Sequence, residues 1–186
     1  MSTLQNLASP VRRNARRKAA AAGTVAAMAV GLTLAFGAPA QANSQPSYYN
    51  GILRSWAQGN CLDIQPGTSN VYTSGCVSGD VWQDWSVALA DGGSGTSLIT
   101  NDATGQCLDV KPGTWNGSTG ALYVSNCVPG DIWQQWLLGG NGTSAPVWNI
   151  ENSATSACLD ANQPQALPYI NSYCYSGGYQ DWKPGF

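Results

Sequence analysis

The sequence predicts an all-β fold in which three copies of one module, each of about four short strands, close on themselves. Three observations predict it. The tripeptide Cys-Leu-Asp recurs at Cys61-Leu62-Asp63, Cys107-Leu108-Asp109 and Cys158-Leu159-Asp160, and a second Cys and a Gln-x-Trp ending at Trp85, Trp136 or Trp182 follow each copy. Brief runs rich in β-branched and aromatic residues, such as Val71-Tyr72-Thr73 and Ala121-Leu122-Tyr123-Val124, lie between turn formers, and no helical stripe of useful length occurs. Gly supplies 22 residues and charged residues only 10% of the chain, which suits strands and turns rather than helices.

The chain opens on a segment that reads as a leader. Arg12, Arg13, Arg16, Arg17 and Lys18 precede an Ala/Gly/Leu/Val run from Ala19 to Phe36, and Ala38-Pro39-Ala40-Gln41-Ala42 closes it. That is the pattern of a secretory signal peptide cleaved after Ala42. A retained membrane anchor is the competing reading, disfavoured by the Ala/Gly richness and the small-residue site; Arg12-Arg13 resembles a twin-arginine signal only weakly. Residues 43–186 then form one domain, with repeats at about 48–90, 91–140 and 141–186. Five of the eight basic residues lie in the leader, so three remain against ten acidic ones, a formal net charge of −7. Such a surface cannot neutralise a run of phosphates, which argues against nucleic acid and anionic membrane as partners.

In each repeat an aliphatic residue stands eight positions before the first Cys, Leu53, Ile99 or Ile150, and Asn101 and Asn152 match six positions before it. Pro66-Gly67, Pro112-Gly113, Asn116-Gly117 and the stretches 91–95 and 139–142 break the chain at the spacing of short strands. Three such modules can close, whereas a propeller needs about four blades and an open solenoid needs distinct caps. Closure also removes exposed sheet edges. All six cysteines follow the leader, where an oxidising compartment lets disulfides persist. If the repeats share one structure their bridges are equivalent, and the shortest such solution is Cys61–Cys76, Cys107–Cys127 and Cys158–Cys174. Each closes a loop of about 15 to 20 residues, worth roughly 3 kcal/mol. With no His and no Cys-x-x-Cys, neither metal nor other cofactor is expected.

The thrice-repeated Cys-Leu-Asp, paired Cys and Gln-x-Trp resemble the ricin B-type lectin family from about Tyr48 to Trp182. The resemblance implies a β-trefoil, preceded here by the cleaved leader, and carbohydrate as the ligand. Trp85, Trp136 and Trp182 read as core residues, able to bury a large area about a pseudo-threefold axis. Gln83, Gln134 and Gln180 read as buried amides satisfying the backbone; in the family this Gln also holds the sugar-site Asp. Asp63, Asp109 and Asp160 are the candidate sugar ligands, because a carboxylate offers several acceptor sites to neighbouring hydroxyls, and the alternative is a turn-capping role.

The chain departs from the family where an aromatic usually stands two residues before the second Cys and an Asn just before the Gln. It has Ser74, Ser125 and Ser172 at the first position and Trp82, Trp133 and Tyr179 at the second. Tyr72 and Tyr123, four residues before the second Cys, lie on the same strand face and are the first choice for stacking a sugar ring, with Trp82, Trp133 and Tyr179 second; the rings could equally fill or cover the core. The third repeat is expected to be the weakest site. Ile170 takes the place of the Tyr, and Gln180 follows Cys174 by six positions rather than seven.

The expected function is therefore a secreted, monomeric, non-catalytic carbohydrate-binding protein with shallow sites. An enzyme would need a pair such as Asp63 and Asp80, but the chain has no His and no Gly-x-Ser-x-Gly. The alternative is a protein-binding or inhibitor trefoil that lost its sugar sites, with the loop from Trp115 to Gly120 as its contact element.

Overall fold

The computed structural model describes residues 48–90, 95–140, 147–162, 167–175 and 177–185. The expected leader, 1–42, lies outside the described residues, as do parts of the two glycine-rich stretches. Alternating burial marks the strands where one face meets the core, as in Val71–Gly75, Ser97–Asn101 and Thr119–Ser125. All twelve elements among the described residues are strands. Repeat 1 contains β1 (Tyr48–Ser55), β2 (Asn60–Ile64), β3 (Val71–Gly75) and β4 (Asp84–Leu89). Repeat 2 contains β5 (Ser97–Asn101), β6 (Cys107–Val110), β7 (Thr119–Ser125) and β8 (Trp136–Gly140). Repeat 3 contains β9 (Trp148–Asn152), β10 (Cys158–Asp160), β11 (Tyr169–Asn171) and β12 (Trp182–Pro184).

The first and last strands of the repeats form a closed ring. β1 pairs with β4, β4 with β5, β5 with β8, β8 with β9, β9 with β12 and β12 with β1, all antiparallel. The middle strands form three hairpins, β2–β3, β6–β7 and β10–β11, hinged to the ring through β1–β2, β5–β6 and β9–β10. A six-stranded barrel with three hairpins is a β-trefoil, and the module of about four strands expected from the sequence is the repeating unit.

The threefold core explains the recurring aliphatic and indole positions. Leu53, Ile99 and Ile150 pack with Leu62, Leu108, Leu159 and the three tryptophans, all fully buried. Each indole is also pinned: Trp85, Trp136 and Trp182 donate Nε1–H to the carbonyl oxygens of Leu62, Leu108 and Leu159, all at 3.0 Å. A buried indole thus joins the ring to the middle of its own hairpin with no donor left over. Asn101 and Asn152 staple successive repeats. Each donates Nδ2 to the carbonyl oxygen of the preceding Trp82 or Trp133 and accepts backbone N–H groups of its own turn on Oδ1.

The three disulfides join Cys61 to Cys76, Cys107 to Cys127 and Cys158 to Cys174. Gly67 and Gly113 sit at φ +75° and +74° after their prolines, the left-handed conformation a Pro-Gly turn requires.

Candidate functional site

The hairpin register brings each Asp of Cys-Leu-Asp directly opposite a tyrosine. Asp63 pairs with Tyr72, Asp109 with Tyr123 and Asp160 with Tyr169. The last pair corrects the expectation for repeat 3: Tyr169, not Ile170, stands at the tyrosine position, while Ile170 faces the core. The sequence misled because β11 reaches Cys174 one residue late. Asn171, opposite Cys158, takes the place of Ser74 and Ser125, and the shorter turn before Gln180 restores the register. Counting from the second Cys carried that one-residue shift into the tyrosine assignment; counting back from the Gln does not, since Ser74, Ser125 and Asn171 all lie nine positions before it.

One clamp is built three times below these pairs. Gln83 accepts the Val77 N–H on Oε1 (2.8 Å), which fixes its amide so that Nε2 donates to Asp63 Oδ2 (3.1 Å), Ser74 Oγ (2.7 Å) and the Gly75 carbonyl (2.9 Å). Ser74 Oγ in turn donates to Asp63 Oδ2 at 2.6 Å. Repeat 2 copies this with Gln134, Asp109, Ser125, Asn126 and Val128. Repeat 3 uses Gln180, Asp160, Tyr173 and Tyr175, with Asn171 Nδ2 donating to Asp160 Oδ2 at 3.1 Å.

The repeats differ in what the clamp leaves over. In repeats 1 and 2 both donors converge on Oδ2, and Oδ1 of Asp63 and of Asp109 is buried with no hydrogen-bond partner. In repeat 3 the Asn162 N–H takes Asp160 Oδ1 at 2.7 Å, so both oxygens are engaged.

The surroundings also differ. Around Asp109 lies a cavity of about 260 Å³ lined by Lys111, Trp115, Tyr123, Asp131 and Trp133 together with the Pro112-Gly113 turn. Burial raises the Tyr123 phenol above the ordinary tyrosine pKa; the Ser125 hydrogen bond opposes this and the Asp109 carboxylate adds to it. Tyr72 is raised too, by burial and then by the Asp63 carboxylate beside it. Trp133 is 37% exposed and Tyr179 38%, whereas Trp82 is partly buried against the core. Trp82 lines a groove of about 400 Å³ with Thr68, Ser69, Thr104 and Gln106, a groove whose lining does not include Asp63. Asp80 and Asp131 accept the backbone N–H groups of Trp82 and Trp133, which orients both turns.

Trp115 is the wall that the sequence did not assign. Placed by expectation in a protein-contact loop, it folds inward onto the core and lines the Asp109 cavity. Gly120 makes this possible, since a Cβ there would meet Trp115 Cε3 at 3.3 Å and Ile170 Cγ1 at 3.1 Å. The loop that holds it is the one in which the disulfide separation of repeat 2 exceeds that of repeat 1, 20 against 15. An aromatic inside the one enlarged hairpin was the available signal.

The family model for the ricin-type beta-trefoil lectin domain matches residues 49–182. No curated protein matches in sequence. Among solved structures, the designed threefold-symmetric protein ThreeFoil superposes with a TM-score of 0.61 at 22% identity, over 74% of this chain and 96% of its own. The hemolytic lectin CEL-III gives 0.58 at 24%, over 74% of this chain and 30% of its own. The lectin of Polyporus squamosus gives 0.58 at 17%, over 73% and 47%. The chain therefore spans less than half the length of the last two, and these likenesses are of fold.

Proposed function

We propose, for a chain that belongs to the ricin-type β-trefoil lectin family, that it is an exported, non-catalytic carbohydrate-binding protein whose working sites are the Asp109 cavity and the Asp63–Tyr72 pair. The observation that carries the reading is the spare Oδ1 of both aspartates. A buried carboxylate oxygen without a donor is costly in the free protein, and a sugar hydroxyl that enters with a small shift of the side chains around it is a donor of the right size to satisfy it. In repeat 2 the Tyr123, Trp115 and Trp133 rings offer apolar faces for the C–H side of a pyranose, and Lys111 offers a donor to a ring hydroxyl. Repeat 1 offers the second site, at Asp63 and Tyr72. Repeat 3 is structural, because Asp160 has no oxygen to give.

The sites are shallow and weak singly, and the two together gain avidity on a polymer. Export is supported by the leader pattern and by three disulfides. A second reading, a protein-binding trefoil, is favoured by the half-exposed Val77, Val81, Val128 and Ile132 in the turns between the second Cys and Gln-x-Trp. Binding of the purified protein and of an Asp63→Ala/Asp109→Ala variant to insoluble polysaccharides and immobilised glycans separates the two. Retention by a glycan that the folded variant loses supports the lectin reading; no retention by any glycan rejects it in favour of a protein partner.

A further inference from the structure

The seam where repeat 3 meets repeat 1 differs from both other seams at four positions, and at one of them, Ser55, it departs from a residue the other two share. On β1, Arg54-Ser55-Trp56 stands where repeat 2 has Thr100-Asn101-Asp102 and repeat 3 has Glu151-Asn152-Ser153. On β12, Lys183 stands where the other repeats have Ser86 and Leu137. The ring pairing makes these changes one site. Arg54 is directly opposite Lys183, as Thr100 is opposite Ser86 and Glu151 opposite Leu137. These side chains, with Ser55 and Trp56, line a cavity of about 240 Å³.

Arg54 and Lys183 bring two cations to directly opposite positions on antiparallel strands. Such a pairing is improbable here by chance, since only three basic residues, Arg54, Lys111 and Lys183, follow the leader, and two of them meet at this pair. Arg54 donates Nε–H to the Gly59 carbonyl (3.1 Å), which holds the guanidinium over the turn after β1 and keeps its Nη donors for an anion. Ser55 is fully buried and its hydroxyl has no hydrogen-bond partner, where the matching asparagines make a full set of bonds. Trp56 is 53% exposed at the rim.

We propose that this seam is a binding site for an acidic sugar, a hexuronate residue whose carboxylate lies between Arg54 and Lys183 and whose ring rests on the Trp56 indole. The cation pair selects an anion in a chain that otherwise repels anions, the indole selects a ring with an apolar face, and the cavity has room for one pyranose unit rather than an extended segment. The site shares no residue with the Asp63 and Asp109 sites and stands or falls independently of them.

The test is titration of the protein with D-glucuronate, methyl glucoside, inorganic phosphate and a poly-glutamate peptide, following the Trp56 indole N–H by NMR. An Arg54→Thr/Lys183→Ser variant, which installs the pair that repeat 2 carries at its own seam, reports on the cations, and Trp56→Ser, titrated through the Arg54 Nε–H signal, reports on the ring. Glucuronate should shift the Trp56 signal with a dissociation constant on the order of 1 mM, and methyl glucoside should bind at least about tenfold more weakly. The cation variant should lose about tenfold or more while keeping its core tryptophan signals, and Asp63→Ala/Asp109→Ala should change nothing. Equal binding of methyl glucoside, equal binding of phosphate or poly-glutamate, or undiminished binding by the cation variant would each overturn the proposal.

Discussion

Replacing Asp109 by Asn separates the structural from the ligand-binding role of the clamp. Gln134 cannot turn its amide, because the Val128 N–H holds Oε1 at 2.8 Å, so Nε2 must donate toward Asp109. Ser125 Oγ accepts from Gln134 and therefore also donates toward Asp109. Both donors meet Oδ2, so an asparagine must place its carbonyl oxygen there and its NH2 where Oδ1 stood. The clamp survives with two neutral bonds in place of two charged ones, a loss of about 1 kcal/mol each, offset by no longer burying a charge. Stability should change by less than about 2 kcal/mol. The group offered to ligand changes from charged acceptor to donor, which removes a charge-assisted bond of about 1.5–3 kcal/mol, or roughly 10- to 150-fold in affinity. The assay is urea unfolding alongside titration with the glycan best retained by the wild-type protein, in an Asp63→Asn background so that repeat 2 is read alone. Affinity within about twofold of the Asp63→Asn parent, at unchanged stability, would refute the assignment of Oδ1 as the ligand acceptor.

Ser55→Asn should stabilise the protein by about 1 kcal/mol, because it supplies the amide that Asn101 and Asn152 use and removes an unpartnered buried hydroxyl; a lower urea midpoint would contradict this. Trp136→Phe should cost about 2–4 kcal/mol, the sum of an orphaned Leu108 carbonyl and the space left by the larger ring, and Trp85→Phe and Trp182→Phe should cost the same within error because their Nε1 bonds are identical in length. Stability should hold up to about pH 10 and fall above it. Burial raises the phenols of Tyr49, Tyr72, Tyr123, Tyr169 and Tyr175 above 10.0, so the unfolded chain releases protons that the folded one retains, and their contribution is lost as pH rises through the raised values. Phenolate absorbance would check it, with these five ionising later than free tyrosine.

Much of the fold was legible because it is written three times. A residue such as Leu53, uninformative alone, becomes a core position once Ile99 and Ile150 share its offset, and bridge equivalence selected one pairing of six cysteines from fifteen. Repetition also created the error at Tyr169. Equivalence was counted from Cys174, but disulfides tolerate a one-residue shift of the backbone, whereas the amide of Gln180 must reach Asp160 and cannot. Trp115 escaped for the opposite reason: it lies in the segment without counterparts, where copy comparison has nothing to compare.

On the proposed reading, the motif that identifies the repeat is not the feature that separates a binding repeat from a structural one. Asp63, Asp109 and Asp160 all accept from a Gln, all face a Tyr and all lie at the same point of a hairpin. What distinguishes them is one backbone N–H, that of Asn162, which reaches Asp160 Oδ1 where the chain turns directly after β10. In repeats 1 and 2 the strand runs on through Ile64 and Val110, and the N–H groups matching that of Asn162, those of Gln65 and Lys111, are spent on the Asn70 and Ala121 carbonyls. Strand length after Cys-Leu-Asp therefore decides whether the second carboxylate oxygen is consumed by the fold or remains for a ligand. On that ground, an extra strand residue after Asp160 would do more to create a third site than any change among the aromatic residues around it.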